Sequence, residues 1–104
     1  MKSFSEKVYE LCKRVPKGKV VTYKDIALFL GINGYRAVGQ VLRCNPYAPK
    51  VPCHRVIRSD GNVGGFKGEI RGKLVQEKIK MLSKEGITIE KGKVDLAKYK
   101  FQFN

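Results

Sequence analysis

The chain has 104 residues, and its 42% apolar content is enough for one modest core, so a single domain is expected. Lysine and arginine number 22 against 9 acidic residues, and the net charge of +13 favours nucleic acid over a membrane as the partner. A basic surface that serves only solubility is the alternative. No apolar run could span a bilayer and no signal peptide is evident, which predicts a cytoplasmic protein.

The first predicted helix runs from about Ser5 to Val15. Ser3 and Glu6 have the spacing of a capping box, and Pro16 ends the helix. Its apolar residues recur at helical spacing and predict a buried face made of Phe4, Val8, Leu11, Cys12 and Val15. Cys12 is therefore assigned to the core.

A helix-turn-helix is predicted next. Thr22 is suited to cap a short helix over Tyr23 to Leu30, with Asp25 at the third helical position. Gly31 stops this helix, and a further helix follows from about Tyr35 to Cys44. Two short helices joined by a glycine-containing turn are typical of DNA-binding proteins, and the positive charge supports that interpretation.

The second of these helices has an unusual surface for a reader of bases. Ala37 and Gly39 present almost no side chain, whereas a major-groove reader offers several long polar groups. A slim helix suits the minor groove and binding without sequence choice, although Gly39 could instead serve close helix packing. The expected DNA-binding residues are Tyr35, Arg36, Ala37, Gly39, Gln40 and Arg43.

A thiol then stands beside the only histidine of the chain, at Cys53 and His54, after a proline-rich loop over 45–52. A thiolate is a strong nucleophile, and an imidazole can take its proton. The alternative is a buried cysteine next to a surface histidine. Adjacent side chains of an extended strand point to opposite sides, so the pair can cooperate only if the backbone turns or a water bridges them.

A glycine-rich segment follows a predicted strand or turn at 57–59 and a turn at 60–62. Gly64, Gly65 and Gly68 surround Phe66 and Lys67, and this pattern suits either a wall for a flat ligand or a plain flexible loop.

The C-terminal third begins with a helix predicted from about Gly72 to Lys84, with Val75, Ile79 and Leu82 facing inward and Gly86 at its end. The remaining tail is predicted to be a small hairpin or an extended segment packed on the body. The alternation of Tyr99, Phe101 and Phe103 supports this, and a stacking platform for bases is the alternative.

Metal and cofactor sites are not expected. The three cysteines cannot all pair within one chain, and neither a CxxC nor an HxxxH spacing is present. Reduced thiols in a reducing compartment are the simplest interpretation.

Taken together, these residues resemble the catalytic, DNA-binding domain of the O6-alkylguanine-DNA alkyltransferases, also called methylated-DNA–protein cysteine methyltransferases. The resemblance extends from Phe4 to about Lys98. It rests on Pro52-Cys53-His54-Arg55-Val56, Arg36-Ala37-Val38-Gly39 with Asn45-Pro46, Val21-Thr22-Tyr23, Gly64-Gly65-Phe66-x-Gly68 and Lys78-x-x-Met81-Leu82-x-x-Glu85-Gly86. The predicted fold class is mainly α, a small helical bundle with a winged helix-turn-helix and a few short strands.

The resemblance implies a single-use reaction in which an alkyl group on O6 of guanine moves to Cys53 and stays there. By the same resemblance, His54 deprotonates Cys53 through a water, Glu85 orients the imidazole, and Asn45 holds the turn around the site. Tyr23 is the candidate donor at the base, since the leaving guanine needs a hydrogen bond as charge builds. No cofactor takes part.

The implied partner is double-stranded DNA containing O6-alkylguanine, bound by a monomer. The damaged base leaves the stack, which costs a few kcal/mol, and Arg36 fills the gap. The base pocket is expected to be walled by Val56, Ser59, Gly64, Gly65, Phe66 and Lys67. Residues 1–104 would form one alkyltransferase domain without the extra N-terminal domain usual in the family.

Two other functions compete with this one. Short alkyltransferase-like proteins bind alkylated DNA and flag it for other repair without removing the lesion. They typically carry tryptophan at the acceptor position, whereas this chain has Cys53 and no tryptophan, which favours the enzyme. A Cys-His hydrolase is the third interpretation, but nothing in the sequence specifies its oxyanion hole.

Overall fold

Helices make up most of the regular structure in this computed structural model, which describes residues 2–47, 50–64 and 72–103. The predicted fold class is confirmed. The elements in chain order are α1 (Phe4–Arg14), β1 (Val21–Thr22), α2 (Tyr23–Leu30), α3 (Tyr35–Arg43), a one-turn 3₁₀ helix (Cys53–Arg55), β2 (Val56–Ile57), α4 (Lys73–Lys84), β3 (Ile89–Glu90), β4 (Lys93–Val94) and α5 (Leu96–Tyr99).

Both predicted capping boxes are confirmed. The Ser3 hydroxyl accepts a hydrogen bond from the Glu6 backbone N–H at 3.2 Å, and the Thr22 hydroxyl accepts one from the Asp25 N–H at 3.0 Å. The Asp25 carboxylate accepts the Thr22 backbone N–H in return, at 3.1 Å. These local bonds fix where α1 and α2 begin, because each satisfies backbone donors that have no partner within the helix.

The helix-turn-helix is formed by α2 and α3. Gly31 ends α2 in the left-handed region at φ 74°, where glycine is favoured, and its N–H donates back to the last turn of α2. The two helices bury apolar residues in one cluster with α1. The buried members from these three helices are Val8, Leu11, Cys12, Ile26, Ala27, Val38 and Leu42. The assignment of Cys12 to the core is thus confirmed.

A short parallel pairing of β1 with β2 joins the two halves of the fold. Val21 lies opposite Val56, and Thr22 lies opposite Ile57. Because β1 leads directly into α2 and β2 leads directly out of the 3₁₀ turn, this pairing brings the first residue of α2, Tyr23, close to the segment that carries the cysteine.

The C-terminal tail differs in part from its prediction. The antiparallel hairpin β3–β4 is present, but Tyr99 ends the short helix α5 and does not belong to an extended segment. Asp95 initiates this helix, since its side chain accepts the Ala97 N–H at 3.0 Å. Beyond it the chain lies alongside Val20, to which Phe101 donates a backbone hydrogen bond of 2.8 Å. Within the described residues, no helix is long and apolar enough to cross a bilayer.

Candidate active site

The backbone turns at Cys53. The side chains of Cys53 and His54 are therefore not forced to opposite sides, as they would be in an extended strand. Pro52 precedes a single 3₁₀ turn, in which the Arg55 N–H donates to the Pro52 carbonyl at 3.0 Å. The Cys53 N–H donates to the Val51 carbonyl at 2.8 Å, and only 8% of the residue surface is exposed. Cys53 is therefore held on a fixed turn with its surface largely covered.

Asn45 closes the loop that leads into this turn. Its side-chain N–H donates to the Val51 carbonyl at 3.0 Å, and its Oδ1 accepts the Tyr47 N–H at 2.9 Å. These two bonds span the proline-rich loop, so Asn45 fixes the path of the chain just before Cys53.

His54 lies 3.0 Å from Glu85, measured from Nε2 to Oε2, and both side chains are largely buried. Burial lowers the pKa of His54 and outweighs the opposing effect of Glu85. Burial alone would raise the pKa of Glu85, but hydrogen bonds from Arg55 and His54 hold it below its usual range. An ionised carboxylate only accepts hydrogen bonds, so Nε2 carries the proton and Nδ1 is left as the base.

Arg55 donates hydrogen bonds to both oxygens of the Glu85 carboxylate. Its Nε donates to Oε1 of Glu85 at 2.9 Å, and its Nη2 donates to Oε2 at 2.8 Å. Its third donor, Nη1, reaches the Val15 carbonyl at the end of α1, at 2.7 Å. The fork geometry is the strong, directional form of an Arg–carboxylate pair. Sequence reasoning assigned no role to Arg55, although it is part of the motif that carries the cysteine.

Lys78 is a second residue that sequence reasoning left without a role. It is fully buried, and its Nζ donates to the Val56 carbonyl at 2.9 Å and to the Val63 carbonyl at 2.5 Å. Burial lowers its pKa to about 7, while a thiolate at Cys53 would act in the opposite direction. Its position three residues after Val75 and four before Leu82, both inward-facing, was the signal in the sequence.

Two of the expected base-pocket residues, Ser59 and Gly64, lie near Tyr23. A small cavity of about 90 Å³ is lined by Tyr23, Ser59 and Tyr35 together with Lys24, Arg58 and Asp60. Burial raises the pKa of Tyr23 to about 12, so its hydroxyl keeps its proton at neutral pH. Gly64 has φ 72°, in the left-handed region that favours glycine, and a Cβ added there would lie 3.1 Å from the Arg58 side chain and 4.0 Å from the Tyr23 ring.

The other residues expected to wall the base pocket divide into two groups. Val56 is buried in β2, with its carbonyl held by Lys78. Gly65, Phe66 and Lys67 lie outside the described residues, as does Gly68, so the glycine-rich wall stays a prediction.

The α3 helix presents the predicted slim, basic surface. Tyr35, Arg36, Ala37, Gln40 and Arg43 are exposed, and Gly39 is half-exposed. A Cβ built on Gly39 meets no described atom within 4 Å outside its own helix. Among the described residues, nothing packs on Gly39 closely enough to require a glycine there, which argues against the helix-packing alternative.

The described residues offer no second centre of the same kind. Burial, with a further contribution from Cys53, raises the pKa of Cys12 to about 12, so its thiol stays protonated. Cys44 is exposed at the end of α3. Within the described part of the chain, no group of three or more His, Cys, Asp or Glu side chains could hold a metal ion.

Comparison with known proteins identifies relatives over almost the whole chain. The sequence model of the DNA-binding domain of 6-O-methylguanine DNA methyltransferase matches residues 3–87. A DNA base-flipping protein of Vibrio parahaemolyticus is 38% identical over 98% of this chain and 99% of its own length. Atl1 of S. pombe, solved in complex with damaged DNA containing O6-carboxymethylguanine, is 31% identical with a TM-score of 0.85, over 99% of this chain and 100% of that one.

The methyltransferases among these relatives are longer proteins. The methylated-DNA–protein-cysteine methyltransferase of Methanothermobacter thermautotrophicus is 36% identical over 84% of this chain but only 46% of its own length. The chain spans half or less of the length of the first methyltransferase relatives that it matches.

Proposed function

The chain belongs to the family of the 6-O-methylguanine DNA methyltransferases, and from this premise we propose that it repairs DNA by moving an alkyl group from O6 of guanine to Cys53. The observation that carries the proposal is the largely buried Cys53 on a 3₁₀ turn, directly before a histidine that is hydrogen-bonded to Glu85 at 3.0 Å. A non-catalytic DNA-binding relative has no need of a thiol beside a neutral imidazole.

The bonds, electron pairs and protons of the transfer balance without a cofactor. The thiol gives its proton to Nδ1 of His54 through one water, and the thiolate sulfur attacks the alkyl carbon as the bond from that carbon to O6 breaks. The electron pair of that bond stays on the guanine, which regains a proton at N1, so the proton lost by the thiol balances the one gained by the base. The Tyr23 hydroxyl donates a hydrogen bond to the base as negative charge develops.

DNA would be bound by α3, with the damaged base turned out toward the cavity at Tyr23. The charge of +13 supplies attraction to phosphates, and the small residues Ala37 and Gly39 keep α3 slim, which suits the minor groove. Arg36, exposed in the first turn of α3, would occupy the space left by the flipped base. Two relatives support this mode, since one is a DNA base-flipping protein and the other was solved with damaged DNA.

The decisive experiment is intact mass spectrometry after incubation with a duplex that contains one O6-methylguanine. We expect each chain to gain one methyl group, which peptide mapping places on Cys53, and we expect no second turnover. An unmethylated duplex of the same sequence is the control. Unchanged protein mass with the lesion intact would reject the transferase.

The second candidate function is recognition of alkylated DNA without repair. It is favoured by the end-to-end similarity to the DNA base-flipping protein, whereas the methyltransferases are about twice as long. In the same experiment, a stable complex with methylated DNA and no change in protein mass would support it.

Replacement of Gly39 by alanine tests the slim face of α3. Because the added Cβ has room, helix propensity should stabilise the fold by about 0.5–1 kcal/mol. Affinity for duplex DNA should nevertheless fall about tenfold, since the methyl group stands on the surface that enters the groove. Thermal unfolding and fluorescence anisotropy measure the two effects. The matched control, Ala37→Gly, should lower stability and leave affinity nearly unchanged, and unaltered affinity in Gly39→Ala would rule out this docking face.

A further inference from the structure

Glu85 is shared by two cationic or potentially cationic groups in the described structure. Oε2 lies 3.0 Å from His54 Nε2 and 2.8 Å from Arg55 Nη2, while Oε1 accepts Arg55 Nε at 2.9 Å. The side chains of the three residues are only 4–12% exposed. In such an environment a carboxylate is costly unless a cation and hydrogen bonds offset its charge.

Arg55 also connects its own turn to the ends of α1 and α4. It follows His54 on the same 3₁₀ turn, Glu85 is the C-cap of α4, and the Val15 carbonyl that Arg55 binds closes α1. One guanidinium thus joins the turn that carries Cys53 to the ends of two helices. A lysine could supply the charge at this place but not the fork.

We propose that Arg55 is a positioning residue that keeps Glu85 ionised and its charge offset, so that His54 stays a neutral proton acceptor. Without the guanidinium, the nearest charge to the imidazole would be an uncompensated carboxylate, which would draw a second proton onto the ring. A ring that already carries both protons cannot accept one from Cys53. This inference rests on the proposed function only for its catalytic consequence, because the charge relation holds in the free protein.

The groups that act on His54 come from its own turn and from α4. Glu85 favours the imidazolium, whereas Arg55 and the buried Lys78 disfavour it, and burial disfavours it most. Cys53 precedes it on the turn, and α1 contributes the Val15 carbonyl. Removing Arg55 takes away the larger of these two cationic effects, so the pKa of His54 should rise.

The chain has a single histidine, so proton NMR titration of its ring reports on His54 without ambiguity. Three chains are compared without DNA: wild type, Arg55→Gln and Arg55→Lys. Arg55→Gln keeps amide donors for Glu85 and removes the charge, so its imidazole should titrate at clearly higher pH. Arg55→Lys keeps the charge and should titrate between the other two. An unmoved titration in Arg55→Gln would overturn the proposal, as would an equal shift in Arg55→Lys.

Single-turnover methyl transfer from an O6-methylguanine duplex is the second readout. In Arg55→Gln the transfer rate at pH 6 should fall about five- to tenfold more than the rate at pH 8. The reason is that a raised pKa of His54 leaves less neutral imidazole at pH 6, while at pH 8 the ring stays neutral. An equal loss at every pH would show a merely structural role and would also overturn the proposal. If wild type transfers no methyl group while the NMR titration shifts as expected, the proposed function fails and the charge relation stands.

Discussion

Cys53→Ala should abolish methyl transfer from O6-methylguanine DNA, a loss of at least about a thousandfold that reaches the background of the assay. In the proposed reaction the Cys53 sulfur forms the new bond, and neither His54 nor Tyr23 can replace it. Affinity for the methylated duplex should persist, because the proposed binding face lies on α3, and the complex should outlive that of wild type with repaired DNA. Intact mass and anisotropy measurements on one preparation test both expectations.

The other two cysteines provide matched controls. Cys44 is exposed, so Cys44→Ala should transfer methyl groups like wild type. Cys12 is fully buried with its pKa raised to about 12, so it offers no thiolate to substitute for Cys53. Methylation of another residue in Cys53→Ala, or loss of transfer in Cys44→Ala, would show that the acceptor is assigned to the wrong residue.

Local features of the fold were predictable because their causes lie within a few residues. Ser3 with Glu6 and Thr22 with Asp25 satisfy backbone donors three positions away, so the starts of α1 and α2 follow from sequence. The wrong prediction of an extended conformation at Tyr99 also has a physical cause. Alternating aromatic residues favour a strand, but the Asp95 cap begins a four-residue helix, and the burial of Tyr99 and the bridge between Lys100 and Val20 hold it on the body.

The site depends on contacts between distant segments, and sequence reasoning reached them only in part. His54 and Glu85 are 31 positions apart, and only the resemblance to the alkyltransferases suggested that they meet. Arg55 would ordinarily be expected at the surface, since arginine is rarely buried without a partner. The partner that permits its burial is the same Glu85, so its role could be read only after the turn and α4 were seen together.

Lys78→Met should destabilise the protein by about 2–4 kcal/mol at pH 9, and by less at pH 7. Methionine fills a similar volume but leaves the Val56 and Val63 carbonyls without the Nζ donor, at a cost of about 1–3 kcal/mol each. At pH 9 the wild-type amine is neutral and still has two N–H groups for these carbonyls. The comparison is made by urea unfolding of both chains at the two pH values.

The sign of the pH effect follows from the lowered pKa of Lys78, about 7 in the folded chain against 10.5 as its ordinary value. Between these values the unfolded chain binds more protons, so the lysine's contribution to stability increases with pH across that window. The advantage of wild type over Lys78→Met should therefore shrink by about 2 kcal/mol from pH 9 to pH 7. Other titrating groups are common to both chains and largely cancel. Lys80→Met, at an exposed position on the same helix, should show no such dependence. A pH-independent difference for Lys78→Met would mean that the buried amine keeps its proton throughout, and that Val56 and Val63 are held by a permanent cation.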